Sequence, residues 1–302
     1  MKKSMLAAAV AAALTMSLGL AVYAEDTTEG AATAATGEIV EVPTDVTTVQ
    51  EGKLTIATSP DFAPYEFYHI DENGDPQLAG FDIALAQRIA DDLGLELVTV
   101  PMDFDGILME LQSGNVDIGI AGFSPSPDRA EVFDFSDLYY MGGQSFCVLK
   151  ENADKYSDFS DFAGLPVGAQ TGSIQYGLAE ENTPDANIVG LAKVTDIVSE
   201  LVTGKLEGAF IETAVAEQYA KSYPEMEILW DVPYDTEGSA IALQKGNDSL
   251  LAAVNAVINN VLVDGSMNDY VTQAQEQAAD EGNVYEGQLD ENGEVITEAA
   301  TE

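Results

Sequence analysis

In NVDIGIAGFSPSPDR, residues 115–129, an apolar run ends in small residues and prolines and then places an arginine, Arg129. A guanidinium near the end of a buried strand calls for an acid, and it meets a carboxylate best through two parallel N–H···O bonds. Asp128 or Asp134 could supply that acid from within the chain, and a ligand could supply it from outside; the arginine alone leaves both readings open. Gly122 lets a ligand approach the backbone closely and leaves its carbonyl accessible. Ser124 and Ser126 can donate or accept hydrogen bonds. Pro127 suits the first turn of a helix, which sets Arg129 near a helix N-terminus already favourable to anions. In AQTGS, Thr171 and Gly172 stand at a second strand-to-helix junction, another source of free backbone N–H groups. Glu212 closes the apolar run EGAFIE, where a carboxylate needs a partner or must serve the N-terminus of the helix after it. Two N–H clusters and an arginine would hold a carboxylate. Glu212, Ser124 and a carbonyl would hold an ammonium, and the whole set describes an α-amino-acid zwitterion.

Those residues need elements to carry them. KLTIAT (53–58) reads as a short strand, and YEFYHIDENGDPQLAG as a hairpin with Asn73 and Gly74 supplying positive φ angles in a tight turn. FDIALAQRIADDLG follows as a helix, with Phe81, Leu85, Ile89 and Leu93 on one face and Gly94 as its stop. LELVTVP, FDGILMELQSG and NVDIGIAG continue as strand, helix and strand, which implies parallel pairing with right-handed crossovers. The alternation repeats after residue 150 through PVGAQ, GSIQYGLAEEN, NIVGL, VTDIVSELVTG, EGAFIE and TAVAEQYAKS. SAIALQKG then returns as a strand, before the long helix NDSLLAAVNAVINNVLVDG. Two α/β lobes follow, and ligands in such sheets bind outside the carboxyl ends of the strands. Arg129 and Glu212 are delivered there.

Composition narrows the function classes. The chain has 302 residues, 11 Lys and Arg against 53 Asp and Glu, and a formal net charge of −42. Such a field repels nucleic acid and anionic membrane surfaces and favours a monomer. With 46% hydrophobic residues the chain has enough apolar side chains for packed cores. One cysteine, Cys147, excludes an internal disulfide, and with a single histidine it leaves no histidine- or cysteine-based metal set. No metal and no cofactor is expected. Lys2 and Lys3 before an apolar run, with Val22 and Ala24 at a small-residue site, read as a signal peptide over 1–24, with a retained anchor helix as the alternative. No cysteine stands at that site for a lipid anchor. Residues 25–50 read as a flexible acidic linker, and 280–302 as an acidic disordered tail.

Taken together and in order, LTIATSPDFAPYEF, LAGFDIALAQRIADDLGLELVTVPMDFDGILMELQSGNVDIGIAG, SPSPDRAEVFDFSDLYY, GAQTGS and KLEGAFIETAVAEQY resemble the extracellular solute-binding proteins of family 3, which serve polar amino-acid ABC transporters. The likeness spans roughly residues 52–280. It implies a type II periplasmic binding protein, an α/β fold of two lobes joined by a two-strand hinge and closing on its ligand. Lobe 1 would hold 51–142 and 239–279 and lobe 2 would hold 143–238, with hinge strands near 139–143 and 237–241. By the same resemblance, Arg129 would bind the α-carboxylate with Ser124, Thr171 and Gly172. Gly122 and Glu212 would hold the α-ammonium, Phe62 and Phe104 would sandwich the ligand, and Ser59 would face its side chain. The family's usual aspartate at the ammonium position is replaced by Glu212.

The resemblance implies an importer's binding component that hands an L-amino acid to a membrane permease from a periplasmic or other extracytoplasmic location. The rival is an enzyme on the same fold, a lyase like the cyclohexadienyl dehydratases, which needs a general acid against the leaving group. The cleft motifs offer no histidine and no nucleophile with a base, so the chain reads as no enzyme; a receptor's sensing domain is disfavoured because no signalling segment follows. Ser59, Phe62 and Phe104 carry no formal charge, so a charged ligand side chain would be enclosed without a partner. A neutral polar amino acid is therefore expected, provided Asp61 lies outside the contact set.

Overall fold

The computed structural model describes residues 37–279, apart from residues 72, 236 and 237. The signal segment, the first part of the linker and the acidic tail lie outside those residues. Two five-stranded sheets with helices on their faces, and one small three-stranded sheet, make the fold.

In the first sheet, β1 (Lys53–Thr58) lies between β5 (Glu96–Pro101) and β6 (Ile118–Gly119), parallel to both. β13 (Ala242–Gln244) runs antiparallel between β6 and β7 (Phe133–Phe135). The small sheet joins β2 (Asp61–Phe62), β3 (Glu66–Ile70) and β4 (Pro76–Ala79). Its β3–β4 connection is no two-residue turn. Only Gly74 has positive φ, and the Asp71 carboxylate organises the loop by accepting from the backbone N–H groups of Asn73 and Asp75. The expected positive φ at Asn73 gives way to that side-chain cap.

Helix α1 (Phe81–Leu93) buries Phe81, Leu85, Ile89 and Leu93, the face its spacing marks, and stops at Gly94 in the left-handed region. Helices α2 (Phe104–Ser113) and α3 (Pro127–Val132) follow β5 and β6. Each buried Leu or Ile on such a face contributes about 1.5–3 kcal/mol of transfer free energy.

The second sheet repeats the plan. β9 (Pro166–Gln170) lies between β10 (Asn187–Leu191) and β11 (Gly208–Glu212), parallel to both, with α4 (Ile174–Asn182), α5 (Val194–Val202) and α6 (Thr213–Ser222) as crossovers. β8 (Gln144–Leu149) and β12 (Met226–Asp231) complete it in antiparallel sense. The chain crosses between the sheets twice, and the crossings pair where Tyr140 bridges Ser239. Of the second expected crossing strand, Glu237 lies outside the described residues. α7 (Asp248–Asp264) and α8 (Ser266–Ala278) return to pack on α1. β7, β12 and α8 have no counterpart among the expected elements.

The lead-in differs from the flexible linker expected over 25–50, since the stretch from residue 38 is tied down. Asn260 of α7 accepts from the Val40 backbone N–H at 2.8 Å and donates to the Val40 carbonyl at 2.9 Å. Val42 and Val46 pack on the first core, and the Val49 N–H donates to Asp117. Acid-rich composition hid two apolar anchors, Val42 and Val46, spaced too widely to read as an element. Asn260→Ala removes both bonds to Val40 and should destabilise the fold by about 1–3 kcal/mol. Thermal unfolding checks this, and an unchanged midpoint would mean the strap adds no stability.

Candidate functional site

Arg129 enters on α3. Pro127 opens that helix and the Ser126 hydroxyl caps it by accepting from the Arg129 N–H at 3.4 Å. The guanidinium lies against the rings of Phe104 and Phe123, 5.7 and 5.5 Å from their centroids. It donates through Nη1 to the Ser124 carbonyl at 3.0 Å and through Nη2 to the Gly172 carbonyl, across the cleft, at 2.9 Å. No carboxylate among the described residues lies within ion-pair distance of it, and Asp134 instead faces Lys245. Enclosure without an acid pulls its pKa down to about 10.

Glu212 ends β11, is 3% exposed, and also caps α6 by accepting from the Val215 N–H at 3.0 Å. Its other oxygen accepts from the Tyr65 hydroxyl of the opposite lobe at 3.1 Å. A Cβ on Gly142 would stand 2.5 Å from Glu212 Oε1 and 2.9 Å from the Tyr65 hydroxyl, so a side chain there would displace that hydrogen-bonded pair. Burial pushes Glu212 up to about 7, with no lysine or arginine in ion-pair reach. It borders a cavity of ≈ 420 Å³ beside the crossings, lined also by Gly142, Gln144, Thr213, Asp231 and Tyr234.

The other expected contacts divide. Phe104 borders Arg129, while Phe62 packs on Tyr65 and on Gly122, where a Cβ would fall 2.9 Å from the Phe62 ring. Gly122, at φ 56°, donates its N–H to Asp82. The Gly172 carbonyl reaches Arg129, but Thr171 is exposed and turns its hydroxyl toward Gly190. Ser59 is buried, yet its hydroxyl is committed to Asp61 Oδ1 at 2.7 Å.

Asp61, expected outside the contact set, points inward. It is 9% exposed, and its Oδ2 accepts from the Val194 N–H at 2.5 Å and from Gln170 Nε2 at 3.3 Å, both on the other lobe. Helix α5 begins at Val194 without a side-chain cap of its own, so Asp61 serves its N-terminus from across the cleft. Burial raises Asp61 to about 6, against the lowering effect of these bonds and of Lys193 nearby. Tyr65, Gln170 and Asp82 also went unread. Their positions inside PYEF, GAQTGS and GFD carried the signal, but their partners lie far away in sequence.

Among the described residues no cluster of His, Cys, Asp or Glu is arranged to hold a metal ion. The arrangement can receive an anion at Arg129 and cations at Glu212 and Asp61.

Residues 54–274 match the bacterial extracellular solute-binding proteins, family 3. The chain belongs to that family. A relative among family 3 proteins, the arginine-binding extracellular protein ArtP of Bacillus subtilis, is 32% identical over 200 residues, covering 65% of this chain and 76% of ArtP. A solved amino-acid ABC transporter substrate-binding protein, AbpA of Streptococcus pneumoniae bound to L-arginine, is 33% identical with a TM-score of 0.74, over 76% of this chain and 98% of that one. An ancestral amino-acid-binding protein described as a precursor of cyclohexadienyl dehydratase, AncCDT-1, is 33% identical with a TM-score of 0.66, over 74% of this chain and 95% of that one. The fold is thus the type II periplasmic binding protein, and the chain is an amino-acid ABC transporter substrate-binding protein of family 3.

Arg129→Ala should leave the circular dichroism native and weaken amino-acid binding by roughly 30-fold or more, the loss for one half of a buried charge pair. Normal binding by a folded mutant would make Arg129 structural.

Proposed function

We propose that this protein captures a basic L-amino acid, arginine-like in charge, and passes it to a membrane permease. One observation carries the reading: the cleft holds the half-buried Arg129 with the buried Glu212 and Asp61, and among the described residues none of the three has an opposite charge in ion-pair reach. One enclosed cation and two enclosed anions are the complement of one carboxylate and two cations. An α-amino acid with a cationic side chain has that pattern. Burying each charge alone costs several kcal/mol, and a ligand that pairs all three offsets that cost.

The neutral amino acid expected from Ser59, Phe62 and Phe104 rested on Asp61 lying outside. Its inward turn supplies the partner a cationic side chain needs. The arginine-binding relative and the arginine-bound AbpA support the same direction. Arg129, with Ser124 and Gly172, takes the α-carboxylate; Glu212 and Gly122 take the α-ammonium; Asp61 takes the side chain; Phe62 and Phe104 wall the cleft. A net charge of −42 supports a monomer that is not held on an anionic surface, and Lys2, Lys3 and the apolar run to Ala24 support export. Catalysis is not part of this reading, because Glu212, the one acid at the ammonium position, is engaged by Tyr65 and the α6 N-terminus.

Calorimetry with arginine, lysine, glutamine, serine and glutamate tests the ligand, and arginine or lysine should bind tightest. Glutamine binding tighter than both would return the neutral reading, and turnover of prephenate or arogenate would make the protein a lyase. Asp61→Asn should weaken arginine by roughly 10–100-fold and glutamine far less. A cation pairing with Glu212 or Asp61 favours their ionised forms and pulls down pKa values of about 7 and about 6. Arginine affinity should therefore be complete above those values and fall as pH drops through them. Affinity that rises on acidification would contradict the pairing.

A further inference from the structure

Glu66 on β3 and Asp82 in the first turn of α1 are both 0% exposed and face one another. Two like charges in that position, without a cation in ion-pair reach, would be strongly destabilising, so one acid must carry a proton for the other. The hydrogen bonds show which. Asp82 Oδ2 accepts from the Gly122 N–H and from the Tyr139 hydroxyl, both at 3.0 Å, as a carboxylate does. Asp82 Oδ1 and both Glu66 oxygens lack a partner in strict hydrogen-bond geometry, and the one backbone N–H that approaches Glu66, from Ser59, favours its ionised form less than burial and the Asp82 charge oppose it. The remaining donor is a proton on Glu66, given to Asp82.

The atoms that hang on this pair are those of the candidate site. Gly122 begins the loop that continues through Ser124 to Arg129. Tyr139 immediately precedes the crossing at Tyr140–Gly143. The Ser59 backbone faces Glu66 and precedes Asp61 on the same short segment. Gly122, at φ 56°, has its N–H fixed by Asp82, which ties down the start of the loop that leads to Arg129.

The geometry points to the Glu66–Asp82 pair as positioning residues that share one proton and hold the lobe 1 half of the binding site in register. This rests on the reading of the cleft as an amino-acid site. The charged and titratable groups facing the pair are Asp61 from β2 and Tyr139 from the segment before the crossing, and neither is a cation. Burial and the Asp82 charge hold the Glu66 carboxyl well above the usual range. A raised pKa means that the contribution of the protonated pair is fully present below the ordinary carboxylate range and is lost as pH climbs through the raised value.

The test compares the parent with Glu66→Gln and Glu66→Leu, measuring amide exchange over residues 120–124 without ligand and arginine affinity from about pH 6 to about 9.5. Glutamine keeps one donor and one acceptor and cannot lose the proton, whereas leucine keeps neither. Glu66→Leu should speed exchange at 120–124 and weaken arginine, each by roughly tenfold or more. Glu66→Gln should recover most of both, and its alkaline loss of affinity should be smaller than the parent's. The ligand's own titration is common to both proteins and cancels. A folded Glu66→Leu protein with unchanged exchange and affinity would overturn the proposal. If that variant does not fold, the Glu66→Gln and parent pH profiles decide, and parallel profiles overturn it. If the parent binds no arginine, the ligand reading fails while exchange at 120–124, followed in the parent and in Glu66→Gln over the same pH range, still decides the role of the pair.

Discussion

A guanidinium enclosed without a carboxylate sets the terms for this molecule. Arg129 lies against two phenylalanine rings that pack on each other, with only carbonyl oxygens on its nitrogens, and carbonyls carry no charge to balance it. Glu212 and Asp61 repeat the situation with the opposite sign. Charges left in this state are costly in a closed cleft and cheap in an open one, where water solvates them. On the function proposed above, a ligand that pairs these charges favours closure, and the same charges select that ligand. One buried cluster runs through both lobes, from Leu54 and Phe81 to Ile197 and Ile211.

Each charge is delivered by an element that does a second job. Arg129 follows the Pro127 turn and its Ser126 cap, Glu212 caps α6, and Asp61 caps α5 from across the cleft. Helix N-termini supply N–H groups that steady the two acids, and those bonds favour their ionised forms while burial works against them. Burial prevails, so both acids titrate near neutrality. That poise makes them responsive to an arriving cation. Glycine lets the backbone approach this cluster, at Gly122 beside Phe62 and at Gly142 beside Glu212.

Local pattern made most of the fold legible before any coordinates. The 3.6-residue spacing of Phe81, Leu85, Ile89 and Leu93 became the buried face of α1, and the alternation of short apolar runs with amphipathic segments became the parallel strands of two mixed sheets. Pro127 and Arg129, the strand end at Glu212 and the approach at Gly122 were readable because short-range chemistry specifies them. β7 and β12 escaped because an antiparallel edge strand takes its identity from its neighbours and not from its own period. The strap from residue 38 escaped because its partners, Asn260 and Asp117, lie in other elements.

The sequence by itself determined the element types, the two-lobe plan and the placing of an arginine and a glutamate at strand ends, because each follows from spacing within about twenty residues. Only the tertiary structure decided which way Asp61 faces, that Ser59 spends its hydroxyl on it, and that Thr171 turns away. It alone set Glu66 against Asp82. The physical reason is shared: a short polar side chain can turn either way on its own segment. What chooses is a donor or a like charge from another element, such as Val194 for Asp61, 133 residues away, or Gly122 for Asp82, 40 residues away. Periodicity carries no information about that partner, and burial then fixes its charge state and its chemistry.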